Sequence, residues 1–258
     1  MTPAEVISED LAQTAQDMRA RKEPFAFATI VRTAGSTAAK PGAKALLSAD
    51  GTILQGWLGG GCTRGAVKKA AIEALASGAP QLVSVAPEEL LAEQGVSPGA
   101  TVDGTRFARN GCPSRGSIDI FIEPCLPRPL LTVVGASPVA EALSSLAPQF
   151  HWSVGHDING GGTAGQNVII VATQGQGDLA ALERALSTPA DHVAFVGSRK
   201  KYQALAEKLA DKGIDSDRVA SVKAPAGLDI GAVTPEEIAL SILAELVMIR
   251  RSEAKSRT

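Results

Sequence analysis

Cysteine is scarce in this chain: three among 258 residues, Cys62, Cys112 and Cys125, with no CxxC spacing between them. That excludes a disulfide-stapled scaffold and argues against a structural zinc site. Aromatic residues make up only 3% (six Phe, two Trp, one Tyr), too few for a platform that stacks single-stranded bases. An excess of one charge is also missing. The 25 Lys and Arg against 27 Asp and Glu leave a net charge of −2, which provides no basic field for a nucleic acid. No apolar run approaches the roughly 18 residues of a membrane-spanning helix. The histidines (His151, His156, His192) show no ligand spacing, and HExxH, GxSxG and GxxxxGK[ST] are all absent. The metalloprotease, serine-hydrolase and nucleotide-triphosphatase readings therefore lose their usual support. The first residues, with Glu5, Glu9 and Asp10, read as a polar helix rather than a signal peptide. Free thiols without a disulfide framework imply a cytoplasmic protein.

What is abundant is glycine, with 26 residues gathered into clusters, in a chain that is 45% hydrophobic and 20% charged. The length fits one or two domains. Thr2-Pro3-Ala4-Glu5 has the form of a helix start, and that helix is expected to run to about Arg21. Strands are expected at Phe25–Val31, Ala43–Ser48 and Thr52–Leu58, with a loop from Arg32 to Gly42 and an Asp50-Gly51 turn. A helix follows from about Arg64 to Ala76, then strands at Leu82–Val85 and Ile118–Ile122, while Pro87–Arg106 shows no clear periodicity. Two prolines close together in Cys125-Leu-Pro-Arg-Pro129 mark a stiff connector, which divides the chain into 1–127 and 128–258. Beyond it, short apolar strands (Leu130–Val134, Trp152–Gly155, Asn167–Ala172, His192–Val196) alternate with helices near Pro138–Ala147, Asp178–Leu186, Lys201–Lys212 and Pro235–Arg251. That rhythm implies a parallel sheet covered on both faces, so the fold class is α/β.

Five segments have the residues for chemistry. Gly59, Gly60 and Gly61 lie between a strand and a helix, with Cys62 at the helix entrance. Glycines allow close backbone approach, and free amides at a helix start attract anions. The same field favours a thiolate at Cys62, helped by Arg64 and Lys68; a tight turn with a small buried cysteine is the plainer reading. Arg32 and Ser36, in a basic, glycine-punctuated loop with Lys40, read either as oxyanion ligands or as part of a solvated connector. Cys112 sits in a loop beside Pro113, away from regular structure. In the second half, Gly135 and Ser137 occupy the first strand-to-helix turn, with serine where a dinucleotide fingerprint has its middle glycine. Asp157 stands 22 residues after Gly135, near the spacing of a ribose-binding acid. Gly197, Ser198 and Arg199, followed by Lys200 and Lys201, form a second anion-friendly helix entrance. Thr234-Pro-Glu-Glu237 is a capping box ahead of an Ile238, Ile242, Leu246, Ile249 stripe.

Taken in order, Arg32-Thr-Ala-Gly-Ser36, Lys40-Pro-Gly42, Gly56-Trp-Leu-Gly-Gly-Gly-Cys62, Gly111-Cys-Pro-Ser114 and Ile122-Glu-Pro124 resemble the XdhC/CoxI family. The resemblance continues through Phe195-Val-Gly-Ser-Arg-Lys200, Ala224-Pro-Ala-Gly-Leu-Asp-Ile-Gly231, Thr234-Pro-Glu-Glu-Ile-Ala239 and Ser241-Ile-Leu-Ala-Glu245, and so spans nearly the whole chain. Members are accessory proteins that mature xanthine dehydrogenase and carbon monoxide dehydrogenase-type molybdenum enzymes. The Gly111-Cys-Pro-Ser114 form is closer to the CoxI-like branch. Three departures stand out: Thr63-Arg64 after the cysteine, Gln174 in place of a Thr-His pair, and no arginine shortly after Asp157.

The resemblance implies an N-terminal mixed α/β XdhC-type domain followed by a C-terminal Rossmann-like parallel sheet. It implies a chaperone, rather than a catalyst, that binds the molybdenum cofactor (molybdopterin or its dinucleotide form) and shields it. It further implies that the protein supports sulfuration of the cofactor with a cysteine desulfurase and delivers it to an apo-molybdoenzyme. Cys62 is then the main cofactor contact and Cys112 the second. Gly59–Gly61 and Gly197–Arg199 suit the cofactor phosphate. A homodimer is the default assembly. Two other readings stay open on the residues: a nicotinamide-dependent oxidoreductase using the Rossmann-like half, and a thiol redox sensor pairing Cys62 with Cys112.

Overall fold

The computed structural model describes residues 9–111, 115–158 and 165–256, and the chain forms two compact units, Met1–Pro127 and Arg128–Thr258. The expected helix start at Thr2–Glu5 and the Cys112 loop lie outside the described residues. Among the described residues no helix is long and apolar enough to cross a membrane.

The first unit is built on strands β1 (Phe25–Ala34), β2 (Lys44–Ser48), β3 (Ile53–Gly56), β4 (Gln81–Ala86), β5 (Thr101–Val102), β6 (Thr105–Arg109) and β7 (Ser117–Cys125). They form one sheet in the order β3-β2-β1-β7-β4-β6-β5, antiparallel except for the β4–β6 pair. Period-two burial explains the two central strands: Ala26, Ala28 and Ile30 of β1 and Ile118, Ile120 and Ile122 of β7 all face the core. Helix α2 (Gly61–Ser77) covers that face with Val67, Ala70, Ala71 and Ala74. Alanines on both layers let the helix approach closely. Helix α1 (Glu9–Ala20) packs Leu11, Ala15 and Met18 against Phe25 and Leu46 in a second apolar cluster.

Several elements differ from expectation, β7 being longer and β3 shorter than their expected ranges. β1 continues to Ala34 because a register shift between Ile30 and Arg32 inserts a bulge and sets Arg32 opposite Asp119. The segment without clear periodicity contains helix α3 (Glu88–Glu93) and the β5–β6 hairpin, whose Asp103-Gly104 turn takes φ of 48° and 74°. Helix α2 begins at Gly61, ahead of the expected Arg64.

The second unit is an α/β layer structure around four parallel strands, β8 (Leu130–Val134), β9 (Ser153–Gly155), β10 (Asn167–Val171) and β11 (His192–Phe195). Their order is β11-β10-β8-β9. One face is covered by α4 (Pro138–Leu146) and α8 (Pro235–Ser256), which pack on Leu131, Val133, Val168 and Ile170. The other face is covered by α5 (Asp178–Leu186), α6 (Arg199–Asp211) and α7 (Ser216–Ser221), which pack on Ile169, Val171, Val193 and Phe195. The continuous apolar strands are thus buried on both sides, as a Rossmann-like parallel sheet requires. Short α7 had no counterpart among the expected elements. Thr234 and Glu237 exchange the reciprocal bonds of a capping box at the start of α8.

Candidate functional site

In the first unit the fold brings three of the glycine-bearing segments to one end of the sheet. A Cβ on Gly59 would lie 3.5 Å from Ala39 Cβ and 3.7 Å from Ile118 Cδ1, so the β3–α2 turn rests on both the β1–β2 loop and the start of β7. Gly116 approaches Ser36 so closely that a Cβ there would meet the Ser36 carbonyl oxygen at 2.4 Å. Ser36 also bridges to Arg115, which follows the Cys112 loop directly in the chain. Asn110 Nδ2 donates to the Gly116 carbonyl at 2.6 Å and ties the two ends of that loop together.

The turn itself is open and rich in glycine. Gly59 adopts φ +106°, Gly60 takes the N-cap position of α2, and no side chain caps the helix. Thr63 N donates back to the Gly60 carbonyl oxygen at 3.3 Å, so only the amides ahead of it could meet a ligand. Gly60 and Gly61 border open space, since a Cβ on either would meet nothing within 4 Å. Cys62 is the second residue of α2, where the helix field favours a thiolate; its side chain lies outside the described structure. Arg32 is placed differently from the loop position expected of it. It sits in the strand, and its Nε donates to Asp119 Oδ2 at 2.6 Å across the sheet, while the side chain stays largely exposed.

In the second unit, β8 connects to β9 on one side and lies beside β10 on the other, so the strand order reverses at the β8–β10 crevice. Gly135 stands at its mouth with φ +118°, and a Cβ there would come within 2.5 Å of the Ala172 carbonyl oxygen. Ser137 caps α4, its Oγ accepting from Ala140 N at 3.2 Å, and is buried. The hydroxyl in the middle fingerprint position therefore serves the helix. Asp157, just past β9, is exposed, with Arg184 of α5 at 4.0 Å.

Gly197 follows β11, and Ser198 caps α6 by accepting from Lys201 N at 3.2 Å. Together with Arg199 they line a cavity of about 850 Å³ whose opposite wall is the loop from Lys223 to Ala232. Two motifs noted separately in the sequence thus share one cavity. Glu245 of α8, itself buried, fixes that wall by accepting from Gly227 N at 2.9 Å and from Lys223 Nζ at 3.1 Å. A Cβ on Gly227 would collide with Ser241 Oγ at 2.3 Å.

Sequence reasoning assigned no site role to Glu245 or to one further buried acid, Asp178. Its carboxylate accepts from the Thr173 hydroxyl, from Gly175 N at 3.0 Å and from Lys201 Nζ at 2.5 Å. Burial alone would raise the Asp178 carboxyl, but these bonds outweigh it and hold the group below its ordinary pKa. Lys201 is consequently an internal partner rather than a free cation beside Arg199. Asp178 at the first position of α5 was readable as an acid suited to a helix start; its pairing with Lys201 had no local mark. Among the described residues no group of three His, Cys, Asp or Glu is placed to hold a metal ion.

Comparison with known proteins follows the same division. The model of the XdhC and CoxI family matches residues 18–86, and that of the XdhC Rossmann domain matches residues 131–246. Protein YqeB of Escherichia coli (strain K12), itself described as uncharacterised, is 29% identical over 261 residues. That alignment covers 89% of this chain and 44% of YqeB, so the chain spans less than half of that relative's length. Among solved structures, one from Bacillus halodurans described as a xanthine dehydrogenase matches with a TM-score of 0.41 and 19% identity, covering 93% of this chain and 95% of that one.

Proposed function

The chain belongs to the XdhC and CoxI family, and from that premise we propose that it is a maturation chaperone for the molybdenum cofactor. In this reading it holds the cofactor away from water and oxygen, supports its sulfuration by a cysteine desulfurase, and inserts it into an apo-enzyme of the xanthine dehydrogenase or carbon monoxide dehydrogenase type. The cofactor is cargo, bound and handed on without turnover.

One observation carries the reading: the β3–α2 glycine turn, the Ser36 loop and the flank of the Cys112 loop lie against one another at an uncapped helix start. The cargo has a phosphate and a metal–sulfur centre. The open helix start, with Arg64 and Lys68 on its first two turns, suits the phosphate. A soft thiolate suits the metal centre better than a carboxylate would. The space bordered by Gly60 and Gly61 admits a ligand against the backbone. Cys62, and with it Cys112, would supply the sulfur.

The test is retention of cofactor. Protein loaded with molybdenum cofactor is desalted, extracted and oxidised, and the fluorescent pterin is counted per chain. The expected result is near-stoichiometric pterin in the native protein and a loss of about tenfold or more in Cys62→Ala. Loaded protein should also restore activity to a purified apo-molybdoenzyme. Pterin at background level, or retention unchanged in Cys62→Ala, overturns the reading.

A further inference from the structure

A second, smaller cavity of about 350 Å³ adjoins the glycine turn, and no role has been given to it. Gly59 forms part of its wall, with Trp57 just before the turn and Thr63, Arg64, Val67 and Lys68 from the first two turns of α2. Its base is apolar, since Leu58 and Val67 are 2% and 1% exposed. Its rim is not. Arg64 and Lys68 are both exposed, and their spacing of four residues sets them one above the other on the helix.

Two features of this rim are unfavourable for the protein alone. The first concerns Trp57. The chain has two tryptophans; Trp152 is 1% exposed, whereas Trp57 is 47% exposed beside a concavity. An aromatic face left in water forgoes the stabilisation that burial would provide. The second concerns charge. The first turn of α2 contains no acid and ends in Arg64, a cation at the helix terminus where the macrodipole opposes it. Asp50 lies close enough for the Lys68 charge to act on its carboxylate. Asp50 is already engaged, accepting from the Ser48 hydroxyl at 2.5 Å and the Thr52 hydroxyl at 2.8 Å. The stem of Lys68 packs on the same turn, so tightly that a Cβ on Gly51 would meet Lys68 Cγ at 2.8 Å. An anionic ligand with a flat ring would relieve both features at once. The volume lies at the small end of ligand cavities, enough for a bicyclic ring with a short tail and too little for a dinucleotide.

We propose that this cavity seats a flat heterocycle bearing a phosphate, with the ring against Trp57 and the phosphate held by Arg64 and Lys68. The inference rests on the cofactor-chaperone reading and assigns the pterin ring and its phosphate to particular residues. Ring–aromatic contact and charge-assisted hydrogen bonds are the two sources of affinity.

The experiment is calorimetric titration of the full chain with neopterin monophosphate, with neopterin and inorganic phosphate as parallel probes. The native protein is expected to bind the phosphorylated pterin. Arg64→Glu and Trp57→Ala should each weaken that affinity about tenfold or more. Both positions are exposed, and a glutamate in the first turn suits the helix dipole, so the fold should persist with a melting temperature no lower than about that of the native protein. Neopterin should bind more weakly than its phosphate ester, and inorganic phosphate more weakly than either.

Equal affinity in the native protein and both variants overturns the assignment, as does inorganic phosphate binding as tightly as the phosphorylated pterin. Cofactor retention separates this inference from the reading beneath it. If Cys62→Ala abolishes retention while Arg64→Glu and Trp57→Ala leave it intact, the chaperone reading stands and this seat falls. If the native protein retains no molybdenum cofactor yet binds neopterin monophosphate in an Arg64-dependent way, the seat stands and the chaperone reading falls.

Discussion

Gly60 and Gly135 respond differently to an added methyl group, and the contrast separates a glycine that serves a ligand from one that serves the fold. At Gly60 the backbone is extended, with φ −70°, and a Cβ would meet nothing within 4 Å. Gly60→Ala should therefore change stability by less than about 1 kcal/mol while lowering cofactor retention, read as pterin per chain at an unchanged urea midpoint. At Gly135 the φ of +118° is open only to glycine, and the clash is with the Ala172 backbone at 2.5 Å. Gly135→Ala should cost about 3 kcal/mol or more, measured by the same unfolding titration. The buried acid makes a second prediction at this scale. Lys201→Met leaves Asp178 its bonds from Thr173 and Gly175 but removes the ammonium at 2.5 Å, at a cost of about 1–3 kcal/mol. The pH dependence has a definite sign. The depressed folded-state pKa of Asp178 contributes stability that is present above its unfolded value and lost as pH falls through the folded one. Removing the cation raises the folded-state pKa, so the acid loss of stability should begin at higher pH in the variant. An acid limb identical in both proteins would show that the ion pair contributes nothing. Gly135, Ser137 and Ser198 could be found by spacing alone, because turn and cap chemistry is local. The pairs Arg32–Asp119 and Asp178–Lys201 join residues far apart in sequence, and only the folded sheet brings them together.

At the scale of elements, the strands read correctly from sequence are those with a strong burial pattern. β1 and β7 alternate, and β8 and β10 are continuous apolar runs buried on both faces. The hairpin of β5 and β6 has neither pattern; its residues are exposed or half-buried throughout, so periodicity had nothing to register. Its Asp103-Gly104 turn was the readable signal, with both residues at positive φ in a two-residue connection. The extension of β1 to Ala34 was hidden for another reason. The bulge breaks the period just before Arg32, so a polar strand end resembles a loop. Helix α8 supports the wall of the larger cavity through Glu245, which accepts from Gly227 N at 2.9 Å. Glu245→Ala leaves that buried amide without its acceptor, at about 1–3 kcal/mol. Lys223 is half-exposed, so its share of the ion pair adds little. The expected signature is faster hydrogen exchange at Gly227, with protection regained in Glu245→Gln because the amide oxygen still accepts. Unchanged exchange in Glu245→Ala would mean that the loop is held by its backbone bonds from Ala226 to Phe195 and from Leu228 to Ser241.

Over the whole molecule, each unit has what an independent domain needs. The first has an apolar core under α2 and a second under α1. The second has one core on each face of its parallel sheet. Pieces of this size bury enough of their surface to fold alone, with stabilities of several kcal/mol. We therefore propose that 1–127 and 128–258 are autonomous domains, and that each, produced separately, unfolds cooperatively in urea. The second piece has a built-in reporter, since Trp152 is 1% exposed in its core and should change emission at the same midpoint as the helical signal. The first piece gives a sharper test, because Trp57, Arg64, Lys68 and the start of α2 all belong to it. If the smaller cavity is the ligand seat, then 1–127 alone should bind neopterin monophosphate within about threefold of the full chain, a difference below 1 kcal/mol. A piece that folds, with sharp dispersed amide resonances and a cooperative transition, yet loses that affinity by tenfold or more would show that the seat depends on residues beyond 127.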